Sequence, residues 1–219
     1  MNAYNPQIHH RRSIRLRGYD YTQSGAYFVT ICTQGRACLF GHIVNDEMQL
    51  NDAGRMVQTV WESMPGRFPN ATFDIYVIMP NHFHAIVIIN DQPVGATLVV
   101  AQNAVVAPNG VAPSPTDVPN GAGTSPAPTN HPTLGAMVGA FKSITTHEYI
   151  VGIRTSGWPP FDRRIWQRNY WEHIIRTPES HARIEDYIRL NPARWQADQL
   201  HPAAPLNPSN QERSMSKGN

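Results

Sequence analysis

Residues 72–90 read TFDIYVIMPNHFHAIVIIN. Two runs rich in β-branched and aromatic residues, Thr72–Met79 and His82–Asn90, flank the turn-forming pair Pro80-Asn81. They predict adjacent antiparallel strands at the centre of a sheet. Side chains on a strand alternate faces, so His82 and His84 point the same way, about 7 Å apart at Cα, while Phe83 points into the core. Two imidazoles on one face, anchored by a buried aromatic between them, are two ligands of a divalent-metal site. The bare tripeptide equally describes two surface histidines on a half-solvated strand.

Working outward, Ala26–Gln34 (AYFVTICTQ) predicts a strand, Ala37–Val44 a second, and Glu47–Leu50 an extension of that hairpin. Asn51 or Asp52 caps a helix to about Met64, with Met56, Val57, Val60 and Trp61 inward and a break at Pro65–Pro69. A second helix is expected over Leu134–Ile150, with Met137, Val138, Phe141 and Ile144 inward. Ile165–Arg176 predicts a further strand. Thr177-Pro178-Glu179 supplies a hydroxyl cap, a proline at the first helical position and an acid in the first turn, so a last helix runs to about Asn191-Pro192. The resulting order, β-β-α-β-β-α-β-α, is an α+β domain: an antiparallel sheet with helices packed against it.

Composition divides the chain of 219 residues unevenly. Residues 91–133 hold eight of the 19 prolines, no Lys or Arg, and only Asp91 and Asp117 as charges. Such a stretch has no basis for a packed core and predicts a disordered insert. The net charge of +2 therefore averages unlike parts, because the 43-residue insert lowers a remainder carrying +4. Sixteen of the 18 basic residues are arginine, whose planar fork suits phosphate. The expected organisation is a basic arm over 1–18, a domain over 19–199 interrupted at 91–133, and a disordered tail over 200–219. No run of 18 apolar residues occurs and the N-terminus is polar, which predicts neither a membrane helix nor a secretory signal. Cys32 and Cys38 fit neither a zinc ribbon nor a disulfide framework and are expected to be buried thiols in a reducing cytoplasm.

A second pattern is Tyr187 and Asn191, four apart on the last helix and so neighbours on one face. A phenol, with its ordinary pKa of about 10, is a poor nucleophile. Attack on phosphorus needs a cation to polarise the phosphate, so the two patterns require each other: His82, His84 and Asn191 around a metal, with Tyr187 attacking. The competing description has Tyr187 packed on the sheet and Asn191 ending the helix before Pro192. Tyr149 and Tyr170 have no comparable partner four residues on. No Gly-x-Ser-x-Gly elbow occurs, and the glycines of the second helix are isolated rather than a phosphate-binding loop.

Arg11, Arg12, Arg15 and Arg17 make the arm basic. Lys142, Arg163, Arg164, Arg168 and Arg176 lie near Trp158, Trp166, Tyr170 and Trp171 in the sequence. Cations beside aromatics suit phosphate contact and base stacking on nucleic acid, although a solvated face with core tryptophans has the same composition. The DNA-binding candidates are the four arm arginines with Lys142, Arg163, Arg164, Arg168, Tyr170 and Trp171.

Three segments resemble one family. MPNHFHAIV (79–87) is similar to the His-hydrophobic-His signature of single-tyrosine HUH transposases. IWQRNYWEHIIR (165–176) and IEDYIRLNP (184–192) resemble the strand and catalytic helix of one subgroup, the REP-associated tyrosine transposases. The similarity covers about 19–195 outside the insert, with the motifs in the right order. It implies a ferredoxin-like sheet, a divalent metal (Mg²⁺ or Mn²⁺) on His82 and His84, Asn191 as a further ligand and Tyr187 as nucleophile. It also implies cleavage and rejoining of single-stranded DNA through a 5′-phosphotyrosine at palindromic repeats folded into hairpins. The protein would be cytoplasmic, associated with the bacterial nucleoid, and a monomer or homodimer. A non-catalytic DNA-binding protein derived from a transposase, and a metal phosphoesterase that uses water as nucleophile, are the alternatives.

Overall fold

The computed structural model describes residues 19–90 and 132–205. The expected N-terminal arm, nearly all of the expected insert and most of the expected tail therefore lie outside the described residues. Strands β1 (Gly25–Cys32), β2 (Gly41–Val44) and β3 (Glu47–Leu50) precede helix α1 (Asp52–Arg67). Strands β4 (Ala71–Ile78) and β5 (His82–Ile89), helix α2 (Leu134–Ser156), strand β6 (Trp171–Ile175) and helix α3 (Pro178–Leu190) follow. The main sheet is antiparallel in the order β4-β5-β1-β6, while β2 and β3 pair separately. With α1 joining β1 to β4 and α2 joining β5 to β6, this is the ferredoxin-like arrangement.

Alternation along the strands gives the sheet two unlike faces. Tyr27, Val29 and Ile31 of β1 and Phe83, Ala85, Val87 and Ile89 of β5 face α1 and α2 in the main core. Trp61 stands at its centre, with ring centroids 4.7 Å from Phe83, 5.0 Å from Phe73 and 5.3 Å from Phe141. On the other face Phe28, Ile86 and Ile175 pack under Ile188 of α3. Beside that small apolar cluster lie Thr30, His82 and His84. The pairings Thr30–His84 and Cys32–His82 fix the register that sets them there.

The helix signals act locally. Asn51 Oδ1 accepts from Gly54 N at α1, Thr133 Oγ1 from Ala136 N at α2, and Thr177 Oγ1 from Ser180 N at α3. Gly157, left-handed at φ 67°, ends α2.

Five expectations change. The second strand begins at Gly41 rather than Ala37 and pairs with β3 apart from the main sheet instead of returning along β1. Pro65 lies inside α1 rather than breaking it, because a proline in the last turn forfeits one hydrogen bond while Phe68 N still reaches Met64 O. β4 is an edge strand, and of the two strands that flank Pro80-Asn81 only β5 is interior. β6 covers only 171–175. Ahead of it, Trp166 makes an isolated bridge to Thr33, and the Gln167 and Arg168 carbonyls accept from the Lys142 ammonium, 2.6 and 3.1 Å away. Finally, Cys38 is exposed, lying beyond the end of β1; Cys32 is largely enclosed, and burial pushes its thiol up to about 11.

Candidate metal and nucleophile site

The strand spacing and the helix spacing meet in one place. Tyr187 Oη lies 3.4 Å from His84 Nε2, and the rings of His82 and His84 are 4.6 Å apart. These are not surface histidines: His82 is 0% and His84 2% exposed. Asn191 is 2% exposed and touches both patterns, since its side chain favours the protonated form of His82 and the ionised form of Tyr187.

Both imidazoles are held so that the same nitrogen faces the site. His82 Nδ1 is 2.8 Å from Asn81 Oδ1. The Asn81 amide cannot turn round, because its Nδ2 donates to the carbonyls of Arg36 and Leu200. His84 Nδ1 is 2.8 Å from Thr30 Oγ1, and a backbone hydrogen bond to Val29 favours the protonated form of the ring. Hydrogen on Nδ1, which Asn81 Oδ1 accepts at His82 and Thr30 Oγ1 can accept at His84, leaves the Nε2 lone pair inward, the tautomer that a metal-binding histidine needs. Burial pushes both imidazoles below their ordinary pKa; the neighbouring His82 lowers His84 further, whereas Asp198 opposes the shift at His82. Both are neutral at neutral pH.

Three buried polar atoms around this point have no hydrogen-bond partner among the described residues: His82 Nε2, Asn191 Oδ1 and Asp198 Oδ2. Buried lone pairs left without a donor are costly, and a bound cation would satisfy those of His82 and Asn191. No trio of His, Cys, Asp or Glu side chains converges closely enough to hold a metal among the described residues, so the donor set that fits is two imidazoles completed by a carboxamide. Nitrogen and oxygen donors of this kind suit Mg²⁺ or Mn²⁺. Tyr187 is 37% exposed. Burial, and then the Asp198 charge, raise its pKa, so the phenol is protonated at neutral pH without help.

The site opens into a cavity of about 1080 Å³ whose wall includes Tyr170, Trp171, His173, Arg183, Tyr187 and Arg194. Trp171, 58% exposed, extends the row His84–Thr30–Trp171 across the sheet. The remaining sequence candidates lie elsewhere. Lys142 is committed to two backbone carbonyls, and burial lowers its ammonium to about 8. Arg163, Arg164 and Arg168 are exposed on the stretch between α2 and β6 and do not line the cavity, although Gln167 and Asn169 on either side of Arg168 do. Trp166 is core, its Nε1 donating to Thr145 Oγ1, and Trp158 packs beside Tyr149. Arg11, Arg12, Arg15 and Arg17 are outside the described residues. Sequence reading overlooked Arg183, Arg194, Asn81 and Asp198. Arg183 had a signal, being four residues before Tyr187 on α3; the others had none in their spacing.

No family model matches the chain. It is 42% identical over 201 residues to an uncharacterized protein of Haemophilus influenzae, covering 90% of this chain and 97% of that one. Among solved structures it is similar to a REP-associated tyrosine transposase bound to a REP hairpin, with TM-score 0.48, 18% identity and coverage of 83% and 74% of the two chains. It is also similar to a transposase-like protein of Deinococcus radiodurans R1, with TM-score 0.40, 12% identity and coverage of 81% and 96%.

Proposed function

This chain belongs to one family with the Haemophilus influenzae protein, and we propose that it is a metal-dependent tyrosine transposase of the REP-associated kind. Its reaction is the nicking and rejoining of single-stranded DNA beside a palindromic hairpin. The observation that carries this is the meeting of Tyr187 with His84 at 3.4 Å, amid three buried polar atoms that lack partners. A protein that only binds DNA has no use for a phenol beside two inward-facing imidazoles.

His82 and His84, through Nε2, and Asn191, through Oδ1, would hold the cation. When bound it polarises the scissile phosphate and offsets the charge that develops on its oxygens. Tyr187 loses its proton to solvent as Oη bonds to phosphorus, and the bond from phosphorus to the 3′ oxygen breaks. That oxygen takes up a proton and leaves as a free 3′-hydroxyl, with the 5′ phosphate on Tyr187. Rejoining reverses the sequence: a 3′-hydroxyl attacks the phosphotyrosine and Tyr187 recovers its proton. α3 supplies rigid positioning, while Trp171 stacks on a base and Arg183 and Arg194 meet the backbone phosphates.

The test is Tyr187→Phe with Mn²⁺ and a hairpin bearing a single-stranded flank. Covalent protein–DNA adduct falls at least about a thousandfold, and hairpin affinity stays within about threefold, because the ring and its packing remain. An undiminished adduct assigns the nucleophile elsewhere. Cleavage that persists without any adduct makes water the nucleophile and the protein a phosphoesterase.

A further inference from the structure

β4 carries an irregularity that the site described above does not use. Phe73 pairs with Val87 and Tyr76 with Ala85, so three steps along β4 match two along β5, a β-bulge. Phe73 and Tyr76 both pack into the main core. Asp74 and Ile75 between them both address α3, where a regular strand would present only one. Ile75 joins the small apolar cluster, and Asp74 Oδ2 lies 3.2 Å from His181 Nε2. The Nδ1 of the same imidazole stands 3.9 Å from Glu185, which is itself paired with Arg189. His181 is thus held between a carboxylate of the sheet and one of its own helix.

α3 rests on the sheet along a narrow seam: Ile188 is its buried side chain, and Ile184 packs beside it. Successive residues of a helix turn by about 100°, which places His181 and Tyr187 about 120° apart around the axis with Ile184 and Ile188 between them. Along the axis they stand about 9 Å apart. The Tyr187–His84 contact at 3.4 Å and the His181–Asp74 contact therefore tie α3 at two separate points, one to β5 and one to β4. Either tie alone leaves the helix free to roll on its seam; together they fix the roll. The tip of a tyrosine side chain stands about 9 Å from the helix axis, so a roll of about 10° moves it by about 1.5 Å. A misplacement of about 1 Å is enough to cost about a hundredfold in rate.

We infer that Asp74 and His181 are positioning residues, whose contact braces α3 and sets where Tyr187 Oη stands over His84. The inference rests on Tyr187 being the nucleophile proposed above. The bulge turns Asp74 toward α3 without withdrawing Ile75 from the apolar cluster. The two side chains are 37% and 29% exposed, and so open a polar pair adds little to stability. What it supplies is position.

The experiment times covalent adduct formation by the full chain with Mn²⁺ and a saturating hairpin that bears a single-stranded flank. Hairpin affinity and thermal melting are measured alongside. In the metal-free protein, nuclear Overhauser contacts report the Tyr187 and His84 rings, whose centroids are 5.2 Å apart. His181→Ala slows the adduct at least about tenfold and weakens the ring contacts, while melting temperature and hairpin affinity stay near wild type. Asp74→Ala does the same, and the double variant is no slower than either single one, because each removes the same contact. His181→Gln, whose amide nitrogen replaces Nε2 and can donate to Asp74, keeps the rate within about threefold of wild type. A His181→Ala protein with wild-type rate and ring contacts overturns the inference, and so do losses that add up in the double variant. If His181→Ala fails to fold, Asp74→Ala on the edge strand carries the same test with the same two outcomes. A wild-type chain that forms no adduct overturns Tyr187 as nucleophile, and the ring contacts then still decide the brace.

Discussion

The two faces of the main sheet are built from the same strands and obey different rules. Toward α1 and α2, β1 and β5 present Tyr27, Val29, Ile31, Phe83, Ala85, Val87 and Ile89 to an apolar core. Toward α3 the same strands present Thr30, His82 and His84, with four buried hydrophobics beside them, Phe28, Ile86, Ile175 and Ile188. The first face follows the area rule, in which each buried apolar side chain contributes about 1.5–3 kcal/mol. The second carries polar groups that cost stability where they stand, an expense that a folded chain tolerates at a binding or catalytic site. Neighbours on β5 belong to opposite regimes, and substitution one residue at a time separates them.

The largest effect is expected at Phe83, which is fully buried and in ring contact with Trp61, Tyr76 and Phe141. Phe83→Ala leaves a cavity in the middle of that aromatic cluster and costs about 3–5 kcal/mol of stability by urea unfolding. A loss below about 1 kcal/mol would mean that the helical face is not the core on which the sheet depends.

A smaller effect on the same face comes from a helix backbone. Gly152 of α2 lies against the Trp158 ring, where a β-carbon would overlap the indole. Gly152→Ala gains about 1 kcal/mol of helix propensity and pays about 1–3 kcal/mol of overpacking. The expected net is a destabilisation of about 1–2 kcal/mol, checked by thermal melting. A stabilised variant would show that Trp158 moves aside freely and that this end of α2 is not close-packed.

Much of this difference between faces is legible in the sequence. His-x-His on an apolar strand places two imidazoles on one side of a sheet, and Thr177-Pro178-Glu179 fixes the start of α3 and so the facing of Tyr187 and Asn191. What the sequence hides is set by tertiary contact. β4 reads as central because both its faces are covered, by α1 on one side and α3 on the other, and hydropathy cannot distinguish that from two flanking strands. Ahead of β6 the Lys142 ammonium takes the Gln167 and Arg168 carbonyls, a contact that local spacing does not announce. Composition counts Lys142, Trp158 and Trp166 with the cations and aromatics available to DNA; the fold spends all three on its own packing. Asp198 reaches the histidines only through a 3-10 turn that no periodicity announces.

The smallest change in stability is expected where the change in function is large. Asn191 is 2% exposed and its Oδ1 has no hydrogen-bond partner, so the metal-free protein bears the desolvation of that carbonyl uncompensated. Replacing a buried polar side chain whose carbonyl lacks a donor among the described residues by an apolar one of similar volume removes that desolvation cost and offsets the lost contact to Tyr187. Asn191→Leu should therefore shift unfolding free energy by less than about 1 kcal/mol, in either direction, when measured without divalent metal. Mn²⁺ affinity and adduct formation fall together, because leucine offers no oxygen and no contact to Tyr187. A loss of several kcal/mol without metal would mean that the Asn191 amide is a structural hydrogen bonder. The site face would then obey the same rule as the core, and the contrast between the two faces would fail at the residue meant to carry it.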